Sequence, residues 1–179
     1  MTSNIYLVGF MGTGKTTVGK QLALKAKMEF KDLDALIEKT AGESIPEIFE
    51  KHGEACFRAL ESQVLAEVVR SEGIVLATGG GVVLNPANLD IMKSNGIVVC
   101  LTAGVDTLWE RLKNKTDRPL LNVENPREAL IDIYNKRAGL YDDVHFTVHV
   151  DNKAPTVIAD EILLLTNYIK LFNKGSVSY

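Results

Sequence analysis

Along this chain short apolar runs alternate with longer stretches in which apolar residues recur every three or four positions. The runs at 5–8, 74–77 and 97–101 are nearly uninterrupted, the one at 146–150 alternates, and the one at 28–33 is weaker. Runs of this length and continuity read as strands buried on both faces, as in a parallel sheet. The stretches between them predict helices over 16–27, 36–40, 44–70, 86–95, 105–113, 126–141 and 156–172, with a break in the third at His52-Gly53. Strand alternating with helix implies an α/β fold of three layers: a five-stranded parallel sheet with helices on both faces. Start signals support these bounds. Ser44 precedes Pro46 and Glu47, Asn85 precedes Pro86, and Asn125 precedes Pro126, each combining a capping side chain with a proline that needs no donor in the first turn. The expectation is a single domain over 1–172 followed by a loose tail, 173–179.

One segment departs from the alternation. Residues 114–125, NKTDRPLLNVEN, are polar and lie between two predicted helices. A connection this long inside a compact domain is usually functional, and the expectation is a mobile lid, the other reading being a solvated connector.

The first strand runs directly into GFMGTGKTT, which places Gly9, Gly14, Lys15 and Thr16 at the spacing G-x-x-x-x-G-K-[ST]. In that context the pattern predicts a phosphate-binding loop. Glycines let successive N–H groups point inward at phosphate oxygens, and the helix starting near Thr16 adds the positive end of its dipole. Gly12, Thr13, Gly14, Lys15, Thr16 and Thr17 are therefore expected to hold the phosphates of a nucleoside triphosphate. Lys15 would be exposed in the empty site and reach the β- and γ-phosphates. The Thr16 hydroxyl would bind Mg²⁺.

Composition narrows the remaining choices. A length of 179 residues is enough for one well-buried core. A net charge of −3 gives no basic surface for tracking nucleic acid, so an anionic ligand must be met by a few local Arg and Lys residues. No apolar run approaches a membrane span, and the N-terminus enters the first strand without a basic leader; a cytoplasmic monomer is expected. Cys56 and Cys100 lie in different elements and form no CxxC, so reduced thiols are expected rather than a disulfide or zinc site.

A second ligand is indicated by three further stretches. FKDLD puts Asp32 and Asp34 two apart at the end of the second strand, where side chains at i and i+2 share a side. Asp34 could equally cap the following helix. Since the strand GIVLATGGG ends without an acid, Asp32 is the expected Mg²⁺ partner of Thr16, through a bound water. FRALE sets Arg58 and Glu61 at i and i+3 on a helix. They form either a surface ion pair or a carboxylate holding a guanidinium so that its fork meets a ligand carboxylate. Three successive glycines, Gly79, Gly80 and Gly81, imply that something approaches the backbone closely.

Taken together, GFMGTGKTTVG, DLD, FRALE, GGG, RPLL at 118–121 and RAGLY at 137–141 resemble the shikimate kinase family over almost the whole chain. The resemblance implies a fold similar to nucleoside monophosphate kinases and ATP-dependent, Mg²⁺-dependent phosphorylation of shikimate at its 3-hydroxyl. It further implies that Asp34 binds ring hydroxyls beside the hydroxyl to be phosphorylated, that Arg58 and Arg137 clamp the carboxylate, and that Gly80 offers backbone contact. Phe57 would line the acceptor pocket, lid Arg118 would reach the ATP phosphates and Arg111 would stack on adenine. The stretch VDNKAP is shorter than the usual adenine-side loop, and Lys153 and Pro155 receive no role.

Two alternatives share parts of this pattern. Another small-molecule kinase, of gluconate or nucleoside monophosphate type, would keep the loop and lid but need a different acceptor pocket. A nucleotide-dependent switch would need a base-reading N-K-x-D string; residues 114–117 match its letters but follow a helix rather than a strand. His145 and His149, four apart on the last strand, have no evident third metal ligand. Trp109 reads as packing and Tyr141 as a helix-end contact.

Overall fold

The computed structural model describes residues 3–115 and 119–174. Its five strands are β1 (Asn4–Val8), β2 (Glu29–Asp32), β3 (Ile74–Ala77), β4 (Gly96–Thr102) and β5 (Phe146–His149). They form one sheet in the order β2-β3-β1-β4-β5, with every pairing parallel. Seven α-helices are present among the described residues: α1 (Lys15–Ala26), α2 (Leu33–Ala41), α3 (Ile45–Val68), α4 (Pro86–Asn95), α5 (Val105–Leu112), α6 (Pro126–Arg137) and α7 (Pro155–Lys174). The chain crosses from β1 to β2 in one direction and from β3 to β4 in the other. Right-handed crossovers therefore put α1 and α4 on opposite faces of the sheet. α7 joins α1 on one side, while α3 touches α4 on the other.

The expected three-layer α/β architecture is present, and burial explains where its sequence signal was strong. β1 and β3 are buried at every position, as are the five central residues of β4, and each therefore reads as a continuous apolar run. β2 and β5 lie at the edges, and their partly exposed residues dilute the pattern. β1 also starts one residue early, at Asn4, a polar but buried side chain. Its Nδ2 donates to the Ser71 carbonyl at 2.6 Å and its Oδ1 accepts from the Ile74 N–H at 3.1 Å, tying the entry of β1 to that of β3.

Several local expectations hold and several do not. Ser44 and Glu47 form a full capping box at the start of α3, and Asn85 Oδ1 accepts from the Ala87 N–H at 3.2 Å. The break in the long helix falls at Gly53, with φ 80° and ψ 170°, a conformation open to glycine. Asn125, in contrast, makes no side-chain cap, and Pro126 opens α6 without one. α2 begins at Leu33 rather than residue 36, because Asp32 is its N-cap: Oδ1 accepts from the N–H groups of Asp34 at 3.1 Å and Ala35 at 3.5 Å. Asp34 is thus neither that helix's cap nor a strand residue but lies in the first turn. α6 ends at Arg137, with a 3₁₀ turn at Ala138–Tyr141 completing the expected helix. Of the expected lid, the described part contains a 3₁₀ turn at Pro119–Leu121, whose Leu121 is buried.

No group of three or more potential metal-ligating side chains occurs among the described residues. His145 serves the sheet instead: its Nδ1 accepts from the Val98 N–H at 3.0 Å, while its own N–H donates to the Val98 carbonyl at 3.1 Å. An acceptor nitrogen must be unprotonated. Partial burial and Lys93 hold its pKa below the ordinary imidazole value, with Asp143 opposing them. A folded pKa below the unfolded one gives stability that is present above about pH 6.5 and lost as the pH falls through the folded value. Much of the residue is exposed, so the contribution is small, under about 1 kcal/mol. Melting at pH 7.5 and at pH 5 is expected to show a drop about 1–2 °C larger for the parent than for His145→Gln. Equal drops would exclude this role.

Candidate active site

Parallel pairing places Leu7 beside both Ala77 and Val99, so the loops leaving β1, β3 and β4 emerge together at one rim of the sheet. Chain reversal on either side of β1 makes this rim the expected ligand crevice.

The loop after β1 carries positive φ at Gly9 (136°), Gly12 (83°) and Gly14 (90°), which lets it curl into a cradle of N–H groups. Gly14 is the N-cap of α1, with no side-chain cap and no acidic residue in the first turn. The N-terminal donors of α1 are thus not covered by a cap, as an anion site requires. Thr16 and Thr17 lie exposed on that first turn. Thr13 is buried, and its hydroxyl and backbone N–H both donate to the Phe10 carbonyl, at 2.8 and 3.4 Å.

Lys15 departs from expectation. Rather than standing exposed it is only 8% accessible, and Nζ donates to the carbonyls of Gly9 at 2.7 Å and Phe10 at 3.0 Å. A buried ammonium needs acceptors, and the curled loop supplies two of its own. Arg111, in the last turn of α5, donates from Nη1 to the Gly12 carbonyl at 3.1 Å and so lies against the outer side of the same loop.

Beside the loop opens a cavity of about 330 Å³. Its first wall is acidic. The Thr16 hydroxyl donates to Asp32 Oδ2 at 2.8 Å, and both residues line the cavity together with Asp34 and Glu61. The two aspartates do share one cavity, although Asp34 reaches it from α2 and not from β2.

The second wall carries the arginines. Arg58 donates from Nη1 to Glu61 Oε2 at 2.8 Å, the expected i, i+3 contact, and Glu61 is 1% exposed, which excludes a plain surface pair. Burial pushes the Glu61 carboxyl above its ordinary range; Arg58 opposes this and the nearby Asp34 adds to it. Glu61 Oε1 is buried without a hydrogen-bond partner among the described residues. Sequence reasoning missed Glu54, whose Oε1 accepts from Arg58 Nη2 at 3.1 Å and Nε at 3.3 Å. The i, i+4 spacing of Glu54 and Arg58 was the available signal. The guanidinium also lies 4.9 Å over the Phe57 ring, which packs on Phe49 to form the apolar part of the lining. Arg137, 8% exposed at the end of α6, lines the same cavity.

Between these walls runs the triglycine. A Cβ at Gly79 would lie 2.9 Å from both Asp34 Oδ1 and Glu61 Oε1, one at Gly80 would lie 2.9 Å from the Met11 nitrogen, and one at Gly81 would collide with the Arg58 guanidinium. The close approach implied by three glycines is thus made by the protein itself: two carboxylates, the phosphate loop and an arginine all converge on this strand exit. Tyr141 donates its hydroxyl to the Gly80 carbonyl at 2.5 Å, and Arg137 Nη1 reaches the same oxygen at 3.5 Å. Leu120 also lines the cavity, a contact from within the expected lid. Arg118, the expected lid arginine, lies outside the described residues.

A phosphate loop on this strand order, with a polar cavity at its side, is the arrangement of a P-loop kinase. A gluconokinase from Sinorhizobium meliloti shares the fold at a TM-score of 0.63 with 17% identity, over 97% of each chain. Much nearer is the shikimate kinase of Acinetobacter baumannii in complex with shikimate, at a TM-score of 0.89 and 41% identity over 99% of this chain and 97% of that one. The family model "Shikimate kinase" matches residues 11–166. Shikimate kinase from Thermodesulfovibrio yellowstonii is 44% identical over 89% of this chain and 92% of its own length, and that of Aromatoleum aromaticum is 51% identical over 78% and 80%. The chain belongs to the shikimate kinase family, enzymes that transfer a phosphoryl group.

Proposed function

We propose that this chain catalyses transfer of the γ-phosphoryl group of ATP to the 3-hydroxyl of shikimate, giving shikimate 3-phosphate and ADP. The observation that carries the reading is the cavity beside the phosphate loop, where Arg58 of α3 and Arg137 of α6 meet Asp34 and the buried Glu61 around Gly79–Gly81. Shikimate offers a carboxylate for the arginines at one end and ring hydroxyls for the acids at the other. Arg58 and Arg137 clamp the carboxylate, Gly80 supplies backbone contact and Phe57 packs on the ring. Asp34 orients the 3-hydroxyl and accepts its proton as the bond to phosphorus forms. Phosphoryl transfer asks mainly for in-line positioning and for charge around the transferring group. Lys15 and Arg118 supply that charge, and Arg111 flanks the adenine.

Thr16 and Asp32 would hold Mg²⁺. Their oxygens lie 2.8 Å apart, and such a hydroxyl-carboxylate donor set suits a hard cation that keeps part of its water. When bound, the ion neutralises charge on the β- and γ-phosphates. Asp32 is held for that task by its cap on α2. A cytoplasmic enzyme working as a monomer is part of the proposal; no described helix is long and apolar enough to cross a membrane.

Initial rates with ATP or GTP, against shikimate, gluconate and nucleoside monophosphates, test the assignment. ATP-dependent product with shikimate alone is expected; turnover of gluconate or a nucleotide in its place would overturn it. A second expectation isolates the clamp. Because the carboxylate does not react, Arg58 grips it about equally in ground and transition states, and its loss should appear as weaker acceptor binding. A charged hydrogen bond of this kind is worth about 1.5–3 kcal/mol, so Arg58→Ala should weaken shikimate roughly tenfold to a few hundredfold. ATP should be little affected. Arg58→Lys should recover only part, keeping the charge without the fork, and Glu61→Ala should give a smaller defect of the same kind. Calorimetry showing unchanged shikimate affinity for Arg58→Ala would remove the clamp.

A further inference from the structure

Tyr141 stands in none of the roles above, yet its hydroxyl makes a short hydrogen bond to a backbone atom of the acceptor cavity. The residue follows α6 in the 3₁₀ turn and is buried. Its ring helps wall a smaller cavity of about 240 Å³ shared with Phe10, Cys100 and Tyr134, so the phenol bridges the core under the phosphate loop and the triglycine. Burial drives its pKa above the ordinary phenol value, and it remains a donor throughout the working range.

The Gly80 carbonyl receives two donors of unequal reach. Tyr141 sits at 2.5 Å, while Arg137 Nη1 stands off at 3.5 Å, the outer limit of a hydrogen bond. Three glycines in succession have few conformational restraints of their own, and the 80–81 peptide is planar and trans, so fixing the carbonyl of Gly80 also fixes the direction of the Gly81 N–H. The phenol oxygen also accepts from the Arg137 side chain, so carbonyl, hydroxyl and guanidinium form one cluster in which the phenol touches both of the other groups. Without the phenol, the carbonyl would be left with Arg137 alone, and a buried acceptor lacking its donor draws in the nearest one.

We propose that Tyr141 is a positioning residue for the acceptor: by donating to the Gly80 carbonyl it orients the triglycine backbone, and by accepting from Arg137 it sets the guanidinium toward the acceptor carboxylate. The proposal rests on the shikimate reading of this cavity. Tyr141→Phe removes the hydroxyl and keeps the ring that lines the smaller cavity with Phe10 and Tyr134. For this variant, KM and Kd for shikimate should rise roughly fivefold to thirtyfold, with kcat within about threefold and KM for ATP unchanged. A merely structural role would lower the melting temperature and active fraction and leave both KM values as they were. In an Arg137→Ala background, Tyr141→Phe should add little, because the two act through one carbonyl.

In the parent, the amide resonances of Gly80 and Gly81 and the Tyr141 hydroxyl proton should move on adding shikimate, a measurement that does not depend on a variant folding. An unchanged shikimate KM in a folded Tyr141→Phe protein, equal losses for shikimate and ATP, full additivity with Arg137→Ala, or resonances that stay in place would each overturn the proposal. A parent that fails to phosphorylate shikimate overturns the functional reading instead, and the parent assay separates the two.

Discussion

Lys15→Ala is expected to reduce kcat by at least about 10²-fold to 10³-fold, because the proposed role of the ammonium is to meet the negative charge that develops on the transferring phosphates. Its burial in this structure adds a second consequence. Nζ braces the loop through the Gly9 and Phe10 carbonyls, and the variant leaves both without that donor. Removing hydrogen bonds from a charged group typically costs about 1.5–3 kcal/mol, so melting should fall by several degrees. The same bonds imply that the ammonium must be redirected when nucleotide arrives, exchanging carbonyl oxygens for phosphate oxygens. Lys15→Arg tests the distinction: it keeps a charged donor near the loop and should restore melting more fully than it restores turnover, since a planar fork does not replace a compact point charge. Rapid turnover of ATP and shikimate by a folded Lys15→Ala protein would sink the assignment of this loop to catalysis.

What was legible in the sequence is what is local. Gly9, Gly14, Lys15 and Thr16 reveal a phosphate loop because its geometry is written within eight residues and framed by a strand and a helix. Arg58 and Glu61 meet because a helix brings i and i+3 together. β1, β3 and β4 are legible because burial on both faces removes every polar residue from their centres. The same reasoning placed Asp32 and Asp34 at the right cavity for the wrong reason. It assumed that the strand continued, whereas the Asp32 side chain starts α2 one residue later and turns Asp34 into the cavity from a helix.

What was not legible depends on contacts between distant segments. The Tyr141 hydroxyl meets the carbonyl of Gly80, 61 residues earlier, and Asn4 bonds Ser71 and Ile74 across the sheet entry. Neither carries a periodic signal. The burial of Lys15 was hidden for a related reason: a lysine in a glycine-rich loop reads as polar and exposed, and only the curl of the backbone reveals carbonyls able to receive it. The crowding around the triglycine is similar, since the occupants of the space a Cβ would need come from α2, α3 and the phosphate loop.

Arg118→Ala is expected to have the largest effect on rate, lowering kcat by about 10³-fold to 10⁵-fold, the range observed for arginines that meet a transferring phosphoryl group. The argument starts from its neighbours. Two residues beyond it, Leu120 lines the cavity beside the phosphate loop and Leu121 is buried against the core, so the described residues that follow Arg118 in sequence lie beside the site. An arginine delivered by such a segment acts chiefly when γ-phosphate and acceptor are both in place. Its contribution then belongs to the transition state, and its loss should reduce kcat far more than it weakens shikimate binding, the reverse of the pattern expected for Arg58. Arg118→Lys should recover only a part, because spreading charge over two phosphate oxygens needs the planar fork. Steady-state kinetics and shikimate calorimetry on the two variants decide the matter. An unchanged kcat for Arg118→Ala would make residues 114–125 a solvated connection, and a loss confined to shikimate affinity would move Arg118 from the phosphoryl group to the acceptor.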